Sequence, residues 1–223
     1  MGFINQFKNA INNLKKNYKP FDPATLNDDI AIKTQWTPAK RGGSNFKTHD
    51  IVKTSPYRLE IRPGKMTLLF PVIFILAGLA PAVAFLFLND TGQPLTTTVI
   101  PIIIGIIFLG VGLAFFYFMR TPHFFDKSVG YYWKGKKESN LAHEAKINCR
   151  LSEIHALQII SEYIRNRSNT GSGRSYHSYE INLVLKNGDR INVLDHGARN
   201  KLFQQAEELS QFLNVPVWNA VRF

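Results

Sequence analysis

Two long apolar runs stand out in the pattern of hydrophobic and polar positions. The first extends from Thr67 to Leu88 and the second from Val99 to Met119, and neither contains an ionisable side chain. As α-helices rising about 1.5 Å per residue they would measure roughly 33 and 31 Å, close to the hydrocarbon thickness of a bilayer. The rest of the chain is too small and too polar to bury both helices in a soluble core. The pattern therefore predicts a transmembrane helical hairpin over residues 66–120.

The segment after the hairpin has the periodicity of strands followed by one helix. Tyr179–Lys186 alternates between apolar and polar positions, and Asn187-Gly188 is a strong signal for a two-residue hairpin turn. Residues 199–213 then carry an apolar stripe at helical spacing. Residues 121–223 are therefore predicted to form one cytoplasmic domain of antiparallel strands closed by a carboxyl-terminal α-helix.

The segment before the hairpin has two parts. Within residues 1–18, Phe3, Phe7 and Leu14 recur at helical spacing, which predicts a short amphipathic helix. That helix would lie either on the membrane surface or against its own cytoplasmic domain, and the pattern does not separate the two. Residues 19–65 contain prolines, a basic Gly-Gly turn and strand-like alternation, and are predicted to form a cytoplasmic loop with strands.

Charge gives the predicted orientation. The 223 residues carry a net charge of +11. Residues 1–65 hold +7 and residues 120–223 hold +5, whereas the connection from Asn89 to Thr98 has no Lys or Arg and one acid, Asp90. The positive-inside rule then places both termini in the cytoplasm of a multi-pass protein of the cell (inner) membrane. Basic flanks beside anionic lipid account for the charge, and with no nucleic-acid-binding motif present we expect no nucleic-acid partner.

Small residues within the apolar runs predict close helix packing. Gly78 and Ala82, and likewise Gly110 and Ala114, are four residues apart, which lets helix backbones approach. Neither run supplies the ionisable group that a transport path requires at membrane depth. The hairpin is therefore interpreted as an anchor, with oligomeric assembly as a further hypothesis.

The residues that carry chemistry are sparse. Cys149 is the single cysteine, and none of the six histidines has the spacing of a metal site. Nucleophile-elbow, phosphate-loop and dinucleotide motifs do not occur in the sequence. We therefore expect a protein that is not an enzyme, with no catalytic residues, cofactor, metal or small-molecule substrate.

The order of these features resembles a known group of proteins. Two spans are followed by Phe125-Asp126-Lys127 with Gly130-Tyr131, by strands, and by Ala206-Glu207-Glu208-Leu209 with Phe212-Leu213-Asn214-Val215-Pro216. From Thr67 to Trp218 the chain resembles the uncharacterised bacterial two-span membrane proteins with a cytoplasmic pleckstrin-homology-like (PH-like) domain. Its layout is also similar to the photosystem I assembly factor family, hypothetical chloroplast frame four. Residues 1–65 depart from that photosynthetic pattern, and nothing here implies a photosystem.

The resemblance implies an α+β membrane protein, with a two-helix transmembrane hairpin and a PH-like antiparallel β barrel or sandwich closed by a carboxyl-terminal helix. It also implies a non-enzymatic, membrane-anchored scaffold or assembly factor whose partners are the bilayer and another protein or a second copy. The identity of that partner stays open. The alternative is a sensor of anionic lipid headgroups or another anionic ligand. Its candidate contacts are the basic loop residues Lys134, Lys136, Lys137, Arg165, Arg167 and Arg174.

Overall fold

A computed structural model describes residues 21–88, 95–119, 121–135, 142, 144–165 and 175–221. The amphipathic helix predicted over residues 1–18 lies outside the described residues. Within the described ranges the chain is an α+β protein with two apolar helices and two sheets. All strand pairs are antiparallel except one.

The first sheet draws strands from both sides of the apolar helices. Its order is β1-β2-β3-β4-β5, and every pair is antiparallel. Strands β1 and β2 come from the segment predicted as 19–65, whereas β3 to β5 come from 121–223, so the two predicted segments share one sheet. The strands are β1 (His49–Ser55), β2 (Arg58–Pro63), β3 (His123–Asp126), β4 (Tyr131–Lys134) and β5 (Ile147–Arg150).

The second sheet has the order β8-β7-β6-β9, and β9 runs parallel to β6. A hairpin joins β7 to β8 as predicted, but its turn differs from the expected two-residue type. Gly188 has φ +91° and Asn187 does not have a positive φ, because the Leu185 N–H pairs with the Asp189 carbonyl and lengthens the loop. The strands are β6 (Ile154–Ile164), β7 (Tyr176–Leu185), β8 (Arg190–His196) and β9 (Val217–Asn219).

In the part of the chain that the structure describes, four α-helices accompany the sheets: α1 (Asp29–Lys33), α2 (Lys65–Leu88), α3 (Leu95–Met119) and α4 (Arg199–Leu213). Both sheets and α4 contribute to one hydrophobic core, in which Ile61, Leu183 and Leu209 are all buried. Neither sheet closes on itself within the described ranges, so of the two expected forms, a barrel or a sandwich, the closed barrel is not formed.

The apolar helices α2 and α3 are inserted between β2 and β3. Gly64 leads from β2 into α2, and its N–H donates to the Thr48 carbonyl at 2.8 Å. The Thr67 hydroxyl donates to the same carbonyl at 2.7 Å, which ties the start of α2 to the start of β1. Only 11% of the residues in each apolar window are buried, so most side chains of both helices face outward.

Residues 22–48, called the strap here, cross the outer face of the second sheet. Trp36 of the strap stacks near Trp218, with ring centroids 5.9 Å apart. At Gly43 the strap comes so close that a Cβ would lie 2.0 Å from an Asp195 carboxylate oxygen and 2.1 Å from the Ser178 hydroxyl. Glycine is the residue that allows this approach. The strap therefore covers a sheet face that carries several buried polar side chains.

Candidate functional site

The strand directions bring several strand ends to the side of the domain where α2 and α3 emerge. We call this side the helix end and the opposite side the far end. Neighbouring strands in an antiparallel sheet run in opposite directions. The helix end therefore contains the first residues of some strands and the last residues of others. The strand residues at the helix end are His49, Pro63, His123, Lys134, Ile147, Ile164, Tyr176 and His196.

The β4–β5 connection begins at the helix end. Lys134, the last residue of β4, is paired with His123, the first residue of β3. The Gly135 N–H donates to the Pro122 carbonyl at 3.1 Å, so the chain leaving β4 lies beside the chain that arrives from α3. Lys136 and Lys137 follow directly in the sequence but lie outside the described residues. We call the six predicted basic loop residues Lys134, Lys136, Lys137, Arg165, Arg167 and Arg174 the basic rim. In this connection its described member is Lys134.

The β6–β7 connection also begins at the helix end. Ile164 pairs with Tyr176 at the last position of this hairpin, and the exposed Arg165 follows. The Tyr176 hydroxyl donates to the Gly43 carbonyl at 2.8 Å, which joins the hairpin to the strap. The predicted contacts Arg167 and Arg174 lie outside the described residues. The structure thus brings Lys134 and Arg165 to the same end of the domain.

The strap adds cations that the sequence reasoning did not select as contacts. The backbone N–H groups of Ala39 and Lys40 donate to the Glu180 carboxylate at 2.8 and 3.2 Å, which positions Lys40. Burial lowers the pKa of the Lys134 ammonium, and the charge of Lys40 lowers it further. Lys40 and Arg41 were interpreted as part of a basic turn. The sequence feature that could have identified them as contacts is their position directly before the Gly-Gly pair.

Two neutral histidines lie inside this basic rim. The rings of His49 and His123 have centroids 6.3 Å apart, and the His123 Nδ1 lies 2.9 Å from the Tyr132 hydroxyl. Burial lowers the pKa of His49 to about 4 and that of His123 to about 3, and Lys134 adds to both shifts. At neutral pH the positive charge of this end is therefore carried by lysine and arginine.

Two carboxylates near the helix end, those of Glu180 and Asp195, lie inward. The Ser178 hydroxyl donates to Asp195 at 2.7 Å, and the Asn182 side chain donates to Glu180 at 2.8 Å. Burial raises the pKa of both carboxyl groups. These acids are held by neighbouring donors, while Arg165 and Arg41 remain exposed. The arrangement presents cations outward at the level where the helices leave the domain.

The small residues of α2 and α3 occupy different positions. A Cβ on Gly78 would lie 2.5 Å from the Leu109 backbone nitrogen, so Gly78 is in the helix contact. A Cβ on Gly110 would meet no atom within 4 Å, and Ala82 and Ala114 are exposed. Two glycines that the four-residue spacing did not select also lie in the contact. They are Gly105, against Gly78 and Pro81, and Gly112, against Ile75.

The described residues offer little for metal or thiol chemistry. Among them, no group of three or more His, Cys, Asp or Glu side chains is placed to hold a metal ion. Cys149 is 5% exposed, and burial raises the pKa of its thiol to about 12. A thiol so protonated is a poor nucleophile.

No protein-family model matches this chain, and no curated protein matches it either.

Proposed function

We propose that α2 and α3 cross a membrane and that the two sheets form a cytoplasmic domain at its surface. At about 1.5 Å per residue, the 24 and 25 residues of these helices are long enough to span the hydrocarbon core. Their apolar side chains face outward, which is unfavourable in water and favourable in lipid. Arg62 before α2 and Lys65 at its first position, with a connection between the helices that has no Lys or Arg, favour a cytoplasmic domain.

The element order supports a PH-like assignment for the cytoplasmic domain. Two mainly antiparallel sheets share a core, and an amphipathic helix packs on that core after the last antiparallel strand, β8. On this assignment the spans are an insertion between β2 and β3. The short strand β9, which follows α4, extends the second sheet beyond β6.

The function that these features best support is a non-enzymatic, membrane-anchored scaffold or assembly factor. The observation that supports this function most is that the two spans are attached to β2 and β3, which are hydrogen-bonded to each other in the first sheet. Two short connections to adjacent strands restrict how the domain tilts on the membrane. A domain held in one orientation presents the same surfaces to partners, which is what a scaffold requires.

The edge strand β5 is the surface on which this proposal is tested. Ile147 on this strand is 40% exposed, and β5 is the last strand of its sheet. Edge strands and exposed apolar side chains are common protein contacts. The protein is purified in mild detergent as wild type and as I147D, with I32D as a matched control in α1, where Ile32 is 59% exposed. We expect a stoichiometric partner that I147D loses and I32D retains; purification of the wild type without any partner would contradict the scaffold.

A second candidate function is the recognition of anionic lipid headgroups. The observation that favours it is the convergence of Lys134, Arg165 and Lys40 at the helix end, where headgroups would lie. Each basic residue near an anionic surface contributes about 1 kcal/mol. The protein is extracted together with its surrounding lipids in polymer-bounded nanodiscs, and the lipid composition is measured. Nanodiscs that contain wild type should be enriched in anionic lipid, and those that contain K134E/K136E/K137E should lose that enrichment. K53E/K186E, with exposed lysines on other strands and turns, is the control; equal enrichment in all three proteins would remove this candidate.

A further inference from the structure

A cavity of about 580 Å³ opens at the far end of the domain. It lies between the β3–β4 turn, the end of β5 and the carboxyl-terminal end of α4. Its volume falls within the range of small-molecule sites in proteins. Its polar lining residues are Lys127, Tyr131, Arg150 and Ser152, and Leu151 and Leu213 are among its apolar ones.

Two cations of this cavity are held by aromatic neighbours. The Lys127 ammonium lies 4.7 Å from the centroid of the Phe212 ring, and the Arg150 Nε–H donates to the Tyr131 hydroxyl at 3.2 Å. Within the described ranges neither cation forms a salt bridge. Glu153 is the nearby acid: it accepts from the Arg150 backbone N–H at 3.2 Å but does not line the cavity. The lining therefore contains two positive charges and no carboxylate.

We propose that this cavity binds a soluble organic phosphate, that is, a phosphate monoester carried on an apolar group. A phosphate monoester bears a charge of about −1.5 to −2 at neutral pH, which balances the charges of the two cations. A single carboxylate would balance the charge of one cation and leave the other without a counter-charge. The Arg150 guanidinium offers several donors in one plane, and the Lys127 ammonium adds a point charge. Leu151 and Leu213 provide the contact for the apolar group.

With α2 and α3 crossing a membrane, as proposed above, the position of the cavity places its ligand on the aqueous side. Lys127 directly follows β3, and His123 at the other end of β3 lies at the helix end. Four strand residues at about 3.3 Å each separate the cavity from that end by roughly 13 Å. The site is therefore distinct from the basic rim at the helix end, and its existence depends neither on the scaffold function nor on lipid recognition.

The proposal is tested by calorimetric titration of the full chain in phospholipid-free detergent micelles, with phenyl phosphate as the probe. We expect saturable binding, weaker binding of inorganic phosphate because it lacks the apolar contact, and no binding of benzyl alcohol because it lacks the anion. K127M and R150Q should each weaken phenyl phosphate binding about tenfold, as expected for the loss of one charge-assisted contact.

Matched controls separate this site from general charge effects. K201M on the first turn of α4 and R41Q on the strap remove exposed cations that do not line the cavity, and both should bind phenyl phosphate like wild type. Phosphatidic acid added to the micelles should not compete; competition would assign the anion to a lipid headgroup and overturn the soluble ligand. Absence of saturable binding, equal binding of benzyl alcohol, or unchanged affinity in both K127M and R150Q would overturn the site itself. Circular dichroism establishes that each variant is folded.

Discussion

Ile61 and His123 are direct partners across the antiparallel pair β2–β3, although both apolar helices lie between them in the chain. The sheet is therefore continuous from β2 to β3 despite the insertion. Its core depends on residues from both sides of the helical hairpin. Leu59 and Ile61 from before the helices pack in the same core as Phe125 from after them. The helical hairpin and the first sheet are thus parts of one folding unit.

The first prediction concerns this shared core. Ile61 is fully buried, so I61A removes apolar contacts and leaves a cavity between the sheets. We expect a loss of about 2–5 kcal/mol in the free energy of unfolding, measured by denaturant titration in detergent. V129A is the control, because Val129 is 41% exposed in the β3–β4 turn and its loss should cost less than about 0.5 kcal/mol. Equal effects of the two substitutions would contradict a core that joins both segments.

The second prediction separates the glycines of the two apolar helices. In G78A the new methyl group meets the backbone of Leu109 and Gly105, which side-chain movement cannot relieve. We expect a cost of about 1–3 kcal/mol and a lower midpoint of thermal unfolding in detergent. G110A adds the same methyl group where no atom lies within 4 Å, so it should be neutral or slightly stabilising. A result in which G110A destabilises the protein as much as G78A would contradict this helix contact.

Local hydrophobic patterns predicted the positions of the helices well. They did not predict which strands pair across long stretches of the chain. The uncharged runs located α2 and α3, and the apolar stripe located α4 with the residues that the sequence indicated. The structure extends α2 back to Lys65 and α3 back to Leu95, because charged and threonine residues in a first helical turn do not interrupt a helix. The pairing of β2 with β3 depends on partners that the whole hairpin separates, and hydrophobic periodicity carries no such information.

The candidate site shows the same limit. Lys134 and Arg165 were selected from two separate loops, and only the strand register shows that both lie at the helix end. Lys40 was interpreted as part of a turn, since nothing local indicates that its backbone binds Glu180 on a distant strand. The helix glycines show this as well: Gly105 and Gly112, which lie in the helix contact, are seven residues apart, about two helical turns, and a four-residue spacing does not select such a pair.

The third prediction concerns the thiol of Cys149. Its burial between the sheets keeps it protonated, as the raised pKa of about 12 indicates. In the native protein at pH 8 we expect no measurable reaction with a water-soluble aromatic disulfide over the time in which a free thiol reacts completely. One equivalent should react after unfolding in denaturant. Rapid native labelling would show that the Cys149 thiol is not buried between the sheets.

The fourth prediction concerns how the strap is held. The Glu180 carboxylate is 3% exposed and accepts from Ala39, Lys40 and Asn182. E180A leaves these donors without an acceptor, so we expect a loss of about 2–4 kcal/mol and faster hydrogen exchange at the two strap amides. E162A removes one hydrogen bond, from the Gly42 N–H, at the exposed edge of the strap. It should cost less than about 1 kcal/mol and leave the exchange of Ala39 and Lys40 unchanged.

If E180A and E162A gave the same stability and the same exchange rates, the strap would not be anchored through Glu180. Gly43 then provides an independent test, since G43A places a methyl group against Asp195 and Ser178. We expect this substitution to speed cleavage within residues 37–46 in limited proteolysis. Unchanged cleavage would mean that the strap does not approach the second sheet closely.

The last prediction follows from the two histidines beneath the basic rim. Burial is the main cause that lowers the pKa of both His49 and His123, and the positive charge of Lys134 comes next. The charge of Lys40 lowers both pKa values further, whereas the charge of Asp50 raises that of His49. In the unfolded chain each histidine binds a proton below about pH 6.5, whereas in the folded protein it stays neutral. The unfolded state therefore binds more protons, and stability falls as the pH is lowered from about 6.5.

Each histidine should contribute a slope of up to about 1.4 kcal/mol per pH unit, measured by denaturant unfolding between pH 7 and 5. The raised pKa values of Glu180 and Asp195 act in the opposite direction at pH values above the pKa that each carboxyl group has in the unfolded chain, because those carboxyl groups bind protons more tightly when folded. H123Q should flatten the slope, and H177Q, at an exposed position, should leave it unchanged. His196, whose pKa burial also lowers, adds a slope of the same sign, so an H49Q/H123Q double variant should keep part of the slope. A slope as steep in the double variant as in wild type would show that the acid sensitivity arises elsewhere, and that these two rings are not the neutral layer beneath the rim.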